Sequence, residues 1–135
     1  MESTIVSLSG WGDIDAATGA VLRRRPRVCG ISIQTGESAL ASLAFSRVLR
    51  ARGYAGTIVS GGHFATLNAE DILRSPAGVD AVVRFAGEEA LVGLARGASG
   101  DSALGTLPGL VYRAPGGEIR VRAPARVAND VPRAP

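Results

Sequence analysis

Short runs of β-type apolar residues alternate along the chain with segments of helical periodicity. Thr4-Ile5-Val6-Ser7-Leu8 reads as a first strand, followed by the loop Ser9-Gly10-Trp11-Gly12. Asp13 stands where it can cap a helix running to about Arg24. The cationic turn Arg23-Arg24-Arg25 closes that helix before Pro26, so both of its ends suit the helix dipole. Val28-Cys29-Gly30-Ile31-Ser32-Ile33 is an apolar run of the doubly covered parallel-strand kind. Glu37 to Arg52 predicts the longest helix, with Leu40, Leu43, Ala44 and Val48 as its apolar stripe and Gly53 as the residue that ends it. Thr57-Ile58-Val59-Ser60 gives a third strand that stops abruptly in Gly61-Gly62. Asn68, with Asp71 three positions on, predicts a short helix opened by a capping box. Asp80 to Arg84 reads as a fourth strand, and Gly87-Glu88-Glu89 opens a helix that closes at Arg96-Gly97.

The pattern changes after residue 98. Five of the seven prolines lie between Pro108 and Pro135, and the segments Gly109–Arg113 and Glu118–Arg122 predict a β-hairpin around Ala114-Pro115-Gly116-Gly117. From Ala123 onward the chain reads as an extended arm. The alternation before it implies βαβ units with right-handed crossovers, and so an α/β protein with a parallel sheet flanked by helices. The predicted organisation is an α/β domain over 1–106 and a hairpin with a Pro/Arg-rich connecting segment over 107–135. Ligands of such sheets sit at the carboxyl ends of the strands, which directs attention to Ser32–Gly36, Gly61–Thr66 and Phe85–Glu88.

A length of 135 residues fits one domain, and 46% hydrophobic with 20% charged residues excludes a disordered chain. No apolar run approaches the roughly 18–20 residues of a membrane span, and Met1-Glu2-Ser3 does not open a signal peptide, so the expectation is a cytoplasmic protein without a membrane partner. A single cysteine, Cys29, excludes an internal disulfide framework and any iron–sulfur or zinc site built from several thiolates of this chain. All fifteen basic residues are arginines, and the net charge is +3. The excess falls in 111–135, where five arginines face Glu118 and Asp130; residues 1–110 balance at ten against ten. With aromatic residues at only 4%, the footprint of a nucleic-acid binder is missing, and no nucleic-acid partner is expected.

Gly61-Gly62-His63-Phe64-Ala65-Thr66 is the most specific local feature. Two glycines at a strand end either admit a bulky ligand to the backbone or serve a tight turn with positive φ, and the residues alone favour neither. The run lacks the Lys-Ser/Thr ending of a phosphate loop and the spacing of a dinucleotide fingerprint. His63 is the only histidine and has no carboxylate partner in reach along the sequence, so it reads as a hydrogen-bonding residue rather than a ligand. Cys29, inside an apolar strand, reads as core. Ser32, Gln34 and Thr35 lie where a strand leaves the core; they either face the ligand crevice or cap the next helix. Glu88 and Glu89 suit a helix start, and they oppose a phosphate there, which ranks nucleotide or phosphate binding at Gly87-Glu88 last among the readings. No Ser/His/Asp order and no paired carboxylates stand out.

Three stretches together resemble the cobalamin-binding domain that precedes the radical SAM domain in B12-dependent radical SAM enzymes: Val28 to Thr35, Ile58 to Leu67, and Gly78 to Arg84. Leu107-Pro108-Gly109-Leu110-Val111-Tyr112-Arg113 resembles that family's connecting segment, and Asn129 to Pro135 the approach to its barrel. The resemblance implies a flavodoxin-like, Rossmann-like fold binding methylcobalamin or hydroxocobalamin over the strand ends. It further implies methyl transfer in concert with a radical SAM domain, in cis or in trans. The cofactor-binding residues it implies are Ser32, Gln34, Thr35, Gly61, Gly62, His63, Phe64, Ala65, Thr66, Gly87 and Glu88. No catalytic residue is implied, and the absent CxxxCxxC motif means that this chain holds no iron–sulfur cluster. The alternative expectation is a degenerate B12-domain scaffold that acts without cofactor as a protein-interaction subunit.

Three departures from the family pattern carry consequences. His63 follows Gly61 where axial-ligand domains have Asp in D-x-H-x-x-G, so a protein imidazole on cobalt is not implied and His63 is expected in the pocket wall. Where the family reads R-G-E-G-E, this chain reads Arg84-Phe85-Ala86-Gly87-Glu88, with a phenyl ring in place of a glycine. The first strand and helix match the family's second pair, so one βα unit is missing at the start. Thr4–Leu8 must then pair directly with Arg27–Ile33, or another segment must fill the gap; a gap leaves unpaired edges open to a homo-oligomer.

Overall fold

The computed structural model describes residues 3–6, 11–85 and 87–124. Six strands form one sheet in chain order: β1 (Ser3–Val6), β2 (Val28–Ser32), β3 (Thr57–Gly61), β4 (Ala81–Val83), β5 (Leu110–Arg113) and β6 (Ile119–Val121). The first four are parallel to their neighbours, and β5 and β6 join antiparallel. β1 pairs directly with β2, Ser3 opposite Val28 and Val6 opposite Ile31, the direct pairing expected of Thr4–Leu8 with Arg27–Ile33. No gap separates them. The hairpin forms as predicted, and it extends the same sheet at the β4 edge.

Helices cover both faces. A 3-10 turn (Trp11–Asp13) leads into α1 (Ile14–Arg24); α2 is Gly36–Ala51, α3 His63–Leu67 and α4 Ala69–Arg74. These four lie on one face, where Val21, Phe45, Leu49, Ala65, Ile72 and Leu73 pack with Cys29, Ile31, Ile58 and Val82. α5 (Glu88–Ala95) and α6 (Gly100–Leu104) lie on the other, where Ala90, Leu94 and partly buried Leu104 meet Val59, Ala81, Val83 and Tyr112. The alternation of Ile58 and Val59 between the two clusters is the period-2 pleat that buries both faces of a parallel strand. Among the described residues no helix is long and apolar enough to cross a membrane.

Two local expectations are corrected. The apolar stripe of α2 is rotated: Leu40 is 67% exposed, whereas Ala39, Ser42, Phe45, Ser46 and Leu49 are buried. Small residues let the helix approach its neighbours closely, and the Ser46 hydroxyl donates to Ala77 O at 2.7 Å, so the serines belong to the inner face. Asn68 accepts no capping bond for α4. Its amide donates instead to Phe64 O at 2.9 Å and closes α3, a helical turn that the sequence pattern does not predict. Nor does the pattern predict α6, because Gly100–Leu104 is too short to show a period. It is tied to the hairpin by Asp101, which accepts from the Tyr112 hydroxyl and from Arg120 Nε at 3.0 Å. The Tyr112 bond first, then Arg120, hold its carboxyl below the usual range.

Candidate functional site

The chain leaves β3 toward the α1–α4 face and leaves β4 toward the α5 face. Connections that part to opposite faces open a crevice at the carboxyl ends of the strands. A groove of about 270 Å³ lies there, between Gly61-Gly62 on one side and Phe85, Gly87 and Glu88 on the other. Its floor is the α5-facing side of β2 and β3 with Val83, and Leu91 of α5 forms a wall. The lining is mainly apolar and small.

Of the predicted site residues, Ser32, Gly61, Gly62, Gly87 and Glu88 line this groove. The other six are placed around it with structural partners. Gln34 bridges the ends of two strands: its Nε2 donates to Ser32 Oγ at 2.9 Å, and its Oε1 accepts from His63 N at 3.1 Å. Thr35 is the N-cap of α2, its hydroxyl accepting from Ser38 N at 3.2 Å, which resolves its two readings toward the cap. The Phe64 ring packs over Gly36 and against the core, and Ala65 is fully buried. Thr66 Oγ1 accepts from Phe85 N at 3.3 Å and so links α3 to the strap after β4. His63 begins α3 and is exposed.

The two glycines divide the roles left open between them. Gly62 has φ 102° and ψ 177°, a conformation essentially restricted to glycine, and a Cβ there would stand 2.6 Å from Ile33 O. It is the turn residue. Gly61 lines the groove, and a Cβ on it would meet only Val83 O, at 3.6 Å, so its space is open. Gly87 is required by packing, because any Cβ would overlap Val83 Cγ1.

Sequence reasoning missed Gly30, Val59, Val83 and Leu91 as lining residues. A usable signal existed: Gly30 is two before Ser32 and shares its face of β2, and Leu91 is one helical turn beyond Gly87. Cys29 is completely buried on the opposite face, and burial, partly offset by Arg50, pushes its thiol up to about 11. It is a core thiol and no nucleophile at neutral pH. Among the described residues no three of His, Cys, Asp and Glu gather as metal ligands.

Phe85 stands on the groove rim with φ 59°, 62% exposed, its ring 5.3 Å from the Arg84 guanidinium carbon. A left-handed conformation costs an L-residue about 1–2 kcal/mol, partly offset here by the exposed ring–guanidinium contact. Phe85→Gly is therefore expected to raise unfolding free energy by about 0.5–1 kcal/mol in urea titration. A loss of that size instead would show that the ring is held by packing. A scan against protein-family models finds no match for this chain, and a search of curated proteins finds none either.

Proposed function

We propose that this chain is a cobalamin-binding module of flavodoxin-like type that presents a corrinoid to a radical SAM methyltransferase-type partner domain. The observation that carries the reading is the groove at the parting of the β3 and β4 exits, built from Gly30, Ser32, Gly61 and Gly62 and open above Gly61. Small residues there let backbone N–H and C=O groups approach an amide-fringed ligand. Phe85 adds support: it keeps the left-handed backbone at the position where the resembled family has glycine.

The fit is partial in size. About 270 Å³ is below the 300–1,000 Å³ of a site for a drug-sized ligand, so the groove receives one flat portion of a corrinoid, such as the base of its nucleotide tail. When bound, the cofactor supplies a transferable methyl group on cobalt. The chain's own residues bind and orient: Ser32 offers a hydroxyl already fixed by Gln34, Gly61 leaves room, and Val83 and Leu91 exclude water. His63, expected in the pocket wall, instead begins α3 and is not among the groove-lining residues, so no part in the groove is assigned to it.

The second reading, a scaffold that has lost the cofactor and serves protein interaction, draws on the Phe85 ring at the rim. Visible-absorption titration of the folded protein with hydroxocobalamin separates the two. Saturable binding with a shifted corrin spectrum, and colour that co-elutes in gel filtration, is the expected result. A protein that melts cooperatively and leaves the spectrum unchanged is the scaffold.

A further inference from the structure

At the opposite end of the sheet, the C-terminus of α1, the start of β2 and the C-terminus of α5 bring exposed arginines together. Arg24 and Arg25 end α1, Arg27 precedes β2, and Arg96 follows α5. Arg27 Nη1 lies 2.8 Å from the position a Cβ would take on Gly97, so it reaches the α5 terminus directly. Arg23 extends back along α1, its Nη1 3.2 Å from the Cβ position of Gly19. Among the described residues none of these five guanidiniums has a carboxylate within 4.0 Å or a hydrogen-bond partner. Other arginines at helix ends do: Arg50 pairs with Asp80, Arg52 with Asp15 at 3.5 Å, and Arg74 with Glu70 at 3.4 Å.

The helix dipole accounts for a cation in the last turn of α1. It does not account for Arg25, which sits at φ 43° in the left-handed position after the helix, where glycine is the ordinary residue. Nor does it account for Arg27, outside any helix. A strained arginine among arginines that have no partner among the described residues is a cost in stability that points to a role in binding.

We propose that this corner, Arg23, Arg24, Arg25, Arg27 and Arg96, is a docking surface for a carboxylate-rich patch on a partner protein. The forked guanidinium matches a carboxylate with two parallel bonds. A nucleic acid is disfavoured because residues 1–110 balance at ten basic against ten acidic, so the corner is not part of a broad basic face. Stacking platforms for single strands need exposed rings, and Tyr54, whose hydroxyl reaches Pro26 O beside the corner, is buried. The corner and the groove lie at opposite ends of the sheet, so both can be engaged at once.

The test uses fluorescein-labelled poly-glutamate and a labelled 20-base-pair DNA duplex as probes, read by anisotropy at low ionic strength where such contacts are strongest. R23Q/R24Q/R27Q is expected to weaken poly-glutamate binding about tenfold or more. The charge-matched control R47Q/R52Q/R74Q is expected to change it less than about threefold. Arg25→Gly is expected to raise the melting temperature and weaken binding together, the signature of strain held for function. Equal losses in the two triple variants, or an Arg25→Gly protein that binds unchanged, would overturn the proposal. Tighter binding of the duplex than of poly-glutamate would overturn the assignment of the partner. Cooperative melting of each variant by circular dichroism ensures that the comparison is between folded proteins.

Discussion

Gly62→Ala is expected to lower the unfolding free energy by about 3 kcal/mol or more, a large loss for one added methyl group. Two effects add. The backbone at φ 102° and ψ 177° is a region that L-residues avoid at a cost of about 1–3 kcal/mol. The new methyl would also stand 2.6 Å from Ile33 O and 3.0 Å from Gln34 Nε2. Ile33 O is not free to retreat, because it accepts from Phe64 N at 3.1 Å while Ile33 N donates to Gly61 O at 2.7 Å. Relief would have to come from moving α3, and with it the Gln34 bridge that fixes Ser32 at the groove. Urea unfolding measures the loss, and the same variant should bind hydroxocobalamin more weakly. Gly61→Ala serves as the contrast, with a change below about 1.5 kcal/mol, since its Cβ position is open. A loss at Gly62 as small as the one at Gly61 would mean that the turn tolerates an L-residue.

Arg50→Met should cost about 2–4 kcal/mol. The guanidinium donates to Gly78 O at 3.0 Å, Tyr54 O at 2.9 Å and Gly56 O at 2.7 Å, and pairs with Asp80. Asp80 also accepts from Ile58 N at 2.7 Å, so one side chain of α2 secures the loops that enter β3 and β4. Methionine preserves much of the stem's packing and isolates the loss of polar contacts. The loss stays moderate because the side chain of Asp80 is 45% exposed and water can replace part of what is lost. A double-mutant cycle with Asp80→Asn should show coupling of at least about 1 kcal/mol. Additive losses would assign the stability to the carbonyl contacts alone.

The frame of the molecule is legible in the chain because its strands are short apolar runs and its helix ends are marked by Asp13, Thr35, Gly53 and Gly97. Legibility fails where burial is decided by size rather than polarity. Ser42 and Ser46 face inward and Leu40 outward, an arrangement set by the close approach of α2 to its neighbours, which no periodicity scale registers. At the site, Gly61 and Gly62 are recognisable as a pair, but the sequence carries no mark that separates the turn glycine from the open one. That distinction arises only when β2 places Ile33 O beside Gly62. Phe85 is the converse case: a bulky residue conceals a left-handed backbone that a glycine would have announced.

Because every strand hydrogen-bonds to the one before it in the chain, each sheet contact closes a loop no longer than a single connection. Assembly can then proceed like a zip, each βα step adding to a finished edge as the polypeptide leaves the ribosome, with little entropy spent on distant encounters. The hazard falls late. Until the hairpin arrives, β4, whose three residues are all buried in the finished sheet, is an open apolar edge able to recruit a strand from another nascent chain. Pairing of Val83 with Leu110 and Ala81 with Tyr112 is the closing step, and the hairpin serves the protein as its own gatekeeper against aggregation.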